Sequence, residues 1–217
     1  MKTYRDHYFK KAKQENYPAR SVYKLQEIEK QSRLFFPGAA VLDLGACPGS
    51  WSLFAAERVG PSGRVLAIDL HPAGTAFPNH VTYLIGDMLD PGPDVLEAFN
   101  SLGPFDIVLS DMAPKTTGIK FTDQARSLEL AEAALAVACR RLRPGGAFVV
   151  KIFQGPDAPA YLIGLKAFFA AVRVAKPKSS RAESKEIFYV GTGFLGAPAV
   201  APEGVSPLPP DGPTAKN

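Results

Sequence analysis

Lys151 stands in "GAFVVKIFQG" (146–155), a run that otherwise reads as a buried strand. Burying an unpaired ammonium costs several kcal/mol, so a lysine at such a place needs partners or a task. A second apolar run, "FDIVLSD" (105–111), ends on Asp111. Open α/β sheets bind ligands outside the carboxyl ends of their strands, so an acid and an amine ending neighbouring strands face one crevice. Two more strand-like runs end on acids, Asp69 in "GRVLAIDL" (63–70) and Asp87 in "VTYLIGD" (81–87). Any one of these acids is as well explained as a turn or helix cap. Three of them converging on one glycine turn read instead as a site.

That turn is "DLGACPGSW", where an apolar strand runs into a helix. A dinucleotide fingerprint would read G-x-G-x-x-G, its amides and helix N-terminus cradling a diphosphate. Here Gly45 and Gly49 enclose Ala46, Cys47 and Pro48. Proline removes an amide hydrogen that a phosphate would want. The loop therefore disfavours a diphosphate and suits an adenosine ligand without phosphate, of which S-adenosylmethionine is the common one. Asp69 sits where an acid binds ribose hydroxyls in such folds, and Asp87 is placed to accept from an adenine amino group. Trp51, two residues past Gly49, is balanced between core packing and a place beside the ligand.

The elements that must hold these residues alternate along the chain. Strands are expected at "AVLDLG" (40–45), 63–70, 81–87, 105–111 and "AFVVKIF" (147–153). Helices are expected at 50–60, 94–103, 121–146 and 158–172, the long one with Thr122 as N-cap and "PGG" as its stop. Short apolar runs alternating with helices predict an α/β fold with a parallel sheet covered on both faces. "RVAKP" (173–177) and "EIFYVGTG" (186–193), joined by a short basic loop, predict an antiparallel pair at one edge. Residues 1–34 read as a helical extension, 35–194 as the main domain, and the Pro/Ala/Gly-rich 195–217 as a disordered tail.

Charge is unevenly spread. The 217 residues carry a net +4, yet residues 1–33 hold nine Lys/Arg against four acids and residues 173–185 hold five against one. Two basic blocks near the ends of the domain are the footprint of a protein that flanks a polyanion. Tyr4, Tyr8, Phe9 and Tyr17 interleave the first block and could stack on bases, although packing against the domain explains most of them. Two cysteines without a framework, no apolar signal core and no membrane-length run predict a soluble, cytoplasmic protein. The three scattered histidines give no metal site. An NAD-dependent dehydrogenase is opposed by Pro48 and by the missing fingerprint.

Taken in order, "RSVYKLQEI", "DLGACPGSW", "SDMAPKTTG", "VVKIFQG" and "SSRAESKEIFYVGTG" make the sequence resemble the FtsJ-like ribosomal RNA 2′-O-ribose methyltransferases from about residue 4 to 193. Cys47 and Ser50 stand where that family usually has other small residues. The resemblance implies a Rossmann-like class I methyltransferase with a doubly wound seven-stranded sheet. It implies S-adenosylmethionine as cofactor, held by Gly45, Gly49, Trp51, Asp69, Asp87 and Asp111. It implies a catalytic set of Lys24, Asp111, Lys151 and Glu186, and ribosomal RNA or the large ribosomal subunit as partner to a monomer, with a uridine as the modified nucleotide. Methylation of tRNA or of an mRNA cap, or a catalytically silent RNA-binding protein of the same fold, are the alternatives.

A ribose 2′-hydroxyl is a poor nucleophile until a base removes its proton, whereas a sulfonium methyl is already activated. Free lysine, with a pKa of about 10.4, is mostly ammonium at neutral pH and needs desolvation or a neighbouring cation to act as that base. Lys151 is expected to be the base and Lys24 the neighbouring cation, with Asp111 positioning the amine and Glu186 supporting it.

Overall fold

The computed structural model describes residues 2–181 and 184–198, with side chains from residue 7 onward. Helices α1 (Lys2–Gln14) and α2 (Val22–Ser32) precede β1 (Ala40–Leu44), α3 (Ser50–Val59), β2 (Arg64–Asp69) and β3 (Val81–Ile85). Then come α4 (Pro93–Leu102), β4 (Phe105–Ser110), α5 (Lys120–Arg141), β5 (Leu142–Phe153), α6 (Ala158–Leu165), β6 (Phe169–Ala175) and β7 (Glu186–Phe194). The strands form one sheet in the order β3-β2-β1-β4-β5-β7-β6. All neighbours from β3 to β5 run parallel, and β7 runs antiparallel to both β5 and β6. The antiparallel pair expected at one edge is present, with β7 inside and β6 outermost.

Alternation along each strand divides the core into two layers, as a sheet covered on both faces requires. Leu42, Leu44, Val108, Phe148, Val150 and Ile152 point to the layer packed by α4, α5 and α6. Val41, Ile107, Leu109, Val149, Phe188 and Val190 point to the layer packed by α2 and α3. Every residue of β1 and β4 is buried, which explains their nearly unbroken apolar sequences. Val22, Leu25 and Ile28 of α2 are at most 1% exposed, so the second N-terminal helix is part of this core. Pro18 lies in the break between α1 and α2.

Three boundaries differ from expectation. The long helix stops at Arg141, and residues 142–146 open β5 instead. Leu142 pairs with Phe105 and the register shifts before Ile107 meets Ala147. Gly146 allows this, since a Cβ there would stand 2.9 Å from the Arg143 carbonyl and 3.0 Å from that of Asp106. Helix α6 ends at Leu165, and β6 begins at Phe169, because Phe169 packs on Phe148 (6.0 Å between centroids, 10° between planes) and pairs with Phe194. Thr122 does not cap α5; that helix follows Ile119, and Asp123 accepts from the Thr117 amide at 2.7 Å and the Gly118 amide at 3.2 Å. Residues 199–217 of the expected disordered tail, and the Tyr4 side chain, lie outside what is described.

Candidate active site

Strand alternation decides where two of the four charged residues, Lys151 and Glu186, point. Lys151 follows Val149 by two positions on β5, so it faces the α2 and α3 side. Directly across the pair lies Phe188 of β7, with Glu186 two positions before it on the same face. Because β7 is antiparallel, its first residue meets the last residues of β5 at the carboxyl rim of the sheet. Asp111 follows β4 at that rim. Helix α2 lies over this face and brings Lys24 to it, the amine 5.8 Å from the Phe188 ring centroid.

The four form two ion pairs. The amine of Lys151, whose side chain is 6% exposed, lies 2.8 Å from Asp111 Oδ1. That contact is close but poorly aligned for a hydrogen bond, and the aligned bond goes from Nζ to the Asp111 main-chain carbonyl. Lys24 Nζ lies 2.7 Å from Glu186 Oε1, which also accepts from the Ser180 hydroxyl at 2.9 Å. The Lys24 charge is thus compensated by Glu186. Helix α2 is pinned in this position by polar contacts at its start and middle. The Trp51 indole donates to the Ser21 carbonyl at 2.9 Å, and the Ala19 amide donates to Ser50 Oγ at 2.8 Å. Glu27 accepts from the amides of Lys178 at 2.6 Å and Ser179 at 2.9 Å, tying α2 to the basic loop before β7.

A cleft of about 500 Å³ opens beside Asp111, lined among others by Gly45, Cys47, Asp69, Asp87 and Met112. Gly45 and Gly49 both take positive φ, +75° and +112°. A Cβ on Gly45 would stand 2.5 Å from Met112 Cγ, and one on Gly49 would stand 2.7 Å from Phe77 Cζ. The turn therefore needs glycine for conformation and for space. Asp69 accepts from the Cys47 and His71 amides, both at 2.9 Å, and Asp87 Oδ1 accepts from the Leu89 amide at 2.8 Å. Both acids hold their own loops while facing the cleft. Trp51 does not line it; its side chain is 3% exposed and packs 5.7 Å from Phe188, so it fixes the start of α3 from behind. The residues here fit a nonphosphorylated adenosine ligand: carboxylates at two strand ends and glycine backbone lining the cleft, and, in the adjoining turn, no N–H on Pro48 to meet a phosphate.

Asp43 was missed in the sequence, although an acid inside "AVLDL" is the same kind of anomaly as Lys151. It is fully buried, accepts from the Ser52 hydroxyl at 2.6 Å, and its other oxygen has no hydrogen-bond partner among the described residues. Burial, together with the charges of Asp111 and Asp69, raises its pKa to about 7, opposed by the Ser52 bond. Of the aromatics in the first basic block, Tyr8 packs on Tyr23 at 5.2 Å and Tyr17 donates to Glu57 at 2.6 Å, while Phe9 is exposed. Burial and Asp69 raise the Cys47 thiol, and burial pushes Cys139 up to about 12. No group of three or more His, Cys, Asp or Glu among the described residues could hold a metal ion, and no described helix is long and apolar enough to cross a membrane.

Residues 17–194 match the model of the FtsJ-like methyltransferase family. The chain belongs to that family. "Ribosomal RNA large subunit methyltransferase E" of Oleidesulfovibrio alaskensis is 60% identical over 198 residues, covering 91% of this chain and 96% of that protein. The protein of the same name from Nitratidesulfovibrio vulgaris (strain Miyazaki F) is 61% identical over 196 residues, covering 90% and 98%. Among solved structures, a ribosomal RNA methyltransferase from Plasmodium falciparum superimposes with a TM-score of 0.72 at 27% identity, covering 83% of this chain and all of that one. The FtsJ-like family match takes in α2, the glycine turn, Asp111, Lys151 and β7, the parts from which the site is built.

Proposed function

We propose that this FtsJ-like methyltransferase uses S-adenosylmethionine to methylate a ribose 2′-hydroxyl of large-subunit ribosomal RNA, at a uridine, in the cytoplasm and as a monomer. The observation that carries this reading is the Lys151 and Asp111 pair at the rim of the sheet, next to a cleft suited to adenosine and backed by Lys24 and Glu186. The names of the close relatives support the RNA substrate.

In this reading the backbone at Gly45 and Gly49, with Asp69 and Asp87, holds the cofactor, and Trp51 keeps the turn in place from behind. The cofactor supplies a methyl group activated by its positive sulfur. Lys151 supplies the base. In its neutral form the amine keeps two N–H donors and one lone pair. One donor stays on the Asp111 carbonyl, which aims the lone pair, and the 2′-hydroxyl proton moves to Nζ as the ribose oxygen becomes nucleophilic. Asp111 orients the amine and is near enough to help align the hydroxyl. Lys24 and Glu186, paired, close the far side of the site without adding net charge. The N-terminal helices and the loop before β7, both basic, flank the rim and meet the RNA backbone.

The test is transfer of labelled methyl to large ribosomal subunits, free ribosomal RNA and tRNA side by side, with mapping of the product nucleotide. Label on a ribose 2′-oxygen of the large-subunit RNA is the expected result. Label on a base, on tRNA alone, or on no RNA at all refutes it.

A further inference from the structure

The segment from the end of β4 into the first turn of α5 contains a feature that proton removal at Lys151 does not use. Ile119 and Phe121 are 63% and 70% exposed. Single exposed apolar side chains are ordinary on proteins. These two flank the junction of a hydrogen-bonded turn with a helix, Ile119 as the last residue of the turn and Phe121 in the first turn of α5. Asp123 accepts from the Thr117 amide at 2.7 Å, the Thr117 hydroxyl at 2.8 Å and the Gly118 amide at 3.2 Å, and the Ile119 amide donates to Thr117 Oγ1 at 3.2 Å. Gly118 takes φ +84°, a conformation other residues rarely adopt.

The loop is also basic and close to the chemistry. Residues 112–122 contain Lys115 and Lys120 and no acid. Both lysines are exposed, and no ion pair is seen for either among the described residues. Lys115 lines the cleft together with Met112, Ala113 and Pro114. One turn into α5, the Gln124 side chain donates to the Gln154 carbonyl, three residues past Lys151. Ser127 Oγ accepts from the Phe153 amide at 3.0 Å. The start of α5 is therefore fastened to the rim where β5 delivers the reactive amine.

Building on the RNA reading above, we propose that this loop is a landing for single-stranded RNA. Phe121 stacks on an unpaired base next to the nucleotide being methylated, Ile119 packs beside it, and Lys115 and Lys120 meet backbone phosphates. An exposed ring interleaved with cations matches the alternation of base face and phosphate along a single strand. A duplex offers the phosphates but keeps its base faces stacked.

Phe121→Trp provides the direct probe, because the one native tryptophan, Trp51, is 3% exposed. Adding a short unstructured oligoribonucleotide should quench the emission of F121W and leave the wild type unchanged, and a duplex of equal length should quench little. In methyl-transfer assays on protein-free ribosomal RNA, F121A should raise KM for RNA roughly tenfold or more, with kcat and S-adenosylmethionine affinity retained, and F121W should restore KM. Absence of quenching, or an F121A KM within twofold of wild type, overturns the proposal. So does a defect confined to assembled subunits, which would make the patch a protein-docking surface. The quenching arm needs no turnover. Quenching without any RNA methylation by the wild type would therefore sink the functional reading and leave the landing standing, and the reverse pattern would sink the landing alone.

Discussion

Replacing Lys151 by arginine separates its charge from its basicity. Arginine keeps a cation and N–H donors for Asp111, yet its guanidinium does not give up a proton in proteins. A positioned general base contributes roughly 10²–10⁴-fold to rate, so single-turnover methyl transfer by K151R should fall at least about a hundredfold while cofactor binding persists. Lys151→Ala adds a second effect. With side chains 6% and 17% exposed, the pair is mostly out of water, and alanine leaves the Asp111 carboxylate without its cation. Removing one partner of a fully buried pair costs about 3–5 kcal/mol, and the residual water access of Asp111 lowers this to roughly 2 kcal/mol. At roughly 2–4 °C for each kcal/mol in a domain of this size, K151A should melt about 4–8 °C below wild type, with K151R between them. Thermal melting with and without S-adenosylmethionine, run beside the rate assay, separates the two effects. K151R retaining more than a tenth of the wild-type rate would remove Lys151 from the base role.

Asp43 makes a pH prediction. Its folded pKa of about 7 lies above its ordinary 3.8, so between those values the unfolded chain is ionised while the folded one keeps the proton. Its contribution to stability is therefore undiminished below pH 3.8 and declines as pH rises toward 7, by about 1.4 kcal/mol per pH unit. Asp43→Asn should flatten the fall in melting temperature between pH 5 and 7, and identical slopes for the two proteins would refute this. For the glycine turn, Gly49→Ala meets both strain at φ +112° and the Phe77 ring, whereas Gly60→Ala meets strain at φ +66° with open space around it. Each substitution should destabilise by about 1–3 kcal/mol, and only G49A should also weaken S-adenosylmethionine binding in calorimetry.

Most strands and their order along the chain were readable because they are short apolar runs ended by glycine or an acid; β6, which runs into Lys176 and Pro177, is not, and its first half read as helix. The insertion of β7 between β5 and β6 was not, since pairing over that distance leaves no local mark. Helix ends failed where tertiary contacts overruled local pattern. Phe169 has a place in a helical run but gains more by stacking on Phe148. Residues 142–146 look like a helix stop and are strand because Phe105 pairs with Leu142. At the site, the strand pattern pointed to Lys151 and Asp111 as neighbours and the family resemblance added Lys24 and Glu186; the structure brings the four together as two ion pairs, but the pairing of Lys24 with Glu186 was not foreseen. Lys24 was expected to act as a cation beside Lys151, and Glu186 takes up that charge at 2.7 Å. Trp51 sits two residues from Gly49 in sequence, yet helical geometry turns its ring into the core. Asp43 was hidden by its neighbours, read as one more letter of a strand.

The clasp between Glu27 and the amides of residues 178 and 179 has a consequence for synthesis of the chain. One partner leaves the ribosome early and the other late, with nearly the whole sheet between them. A nascent chain can finish β1 through β5 and still lack Glu186, so no truncated product ending before β7 carries the Lys24–Glu186 ion pair. That ion pair waits on the last strand, which in the finished sheet lies between β5 and β6.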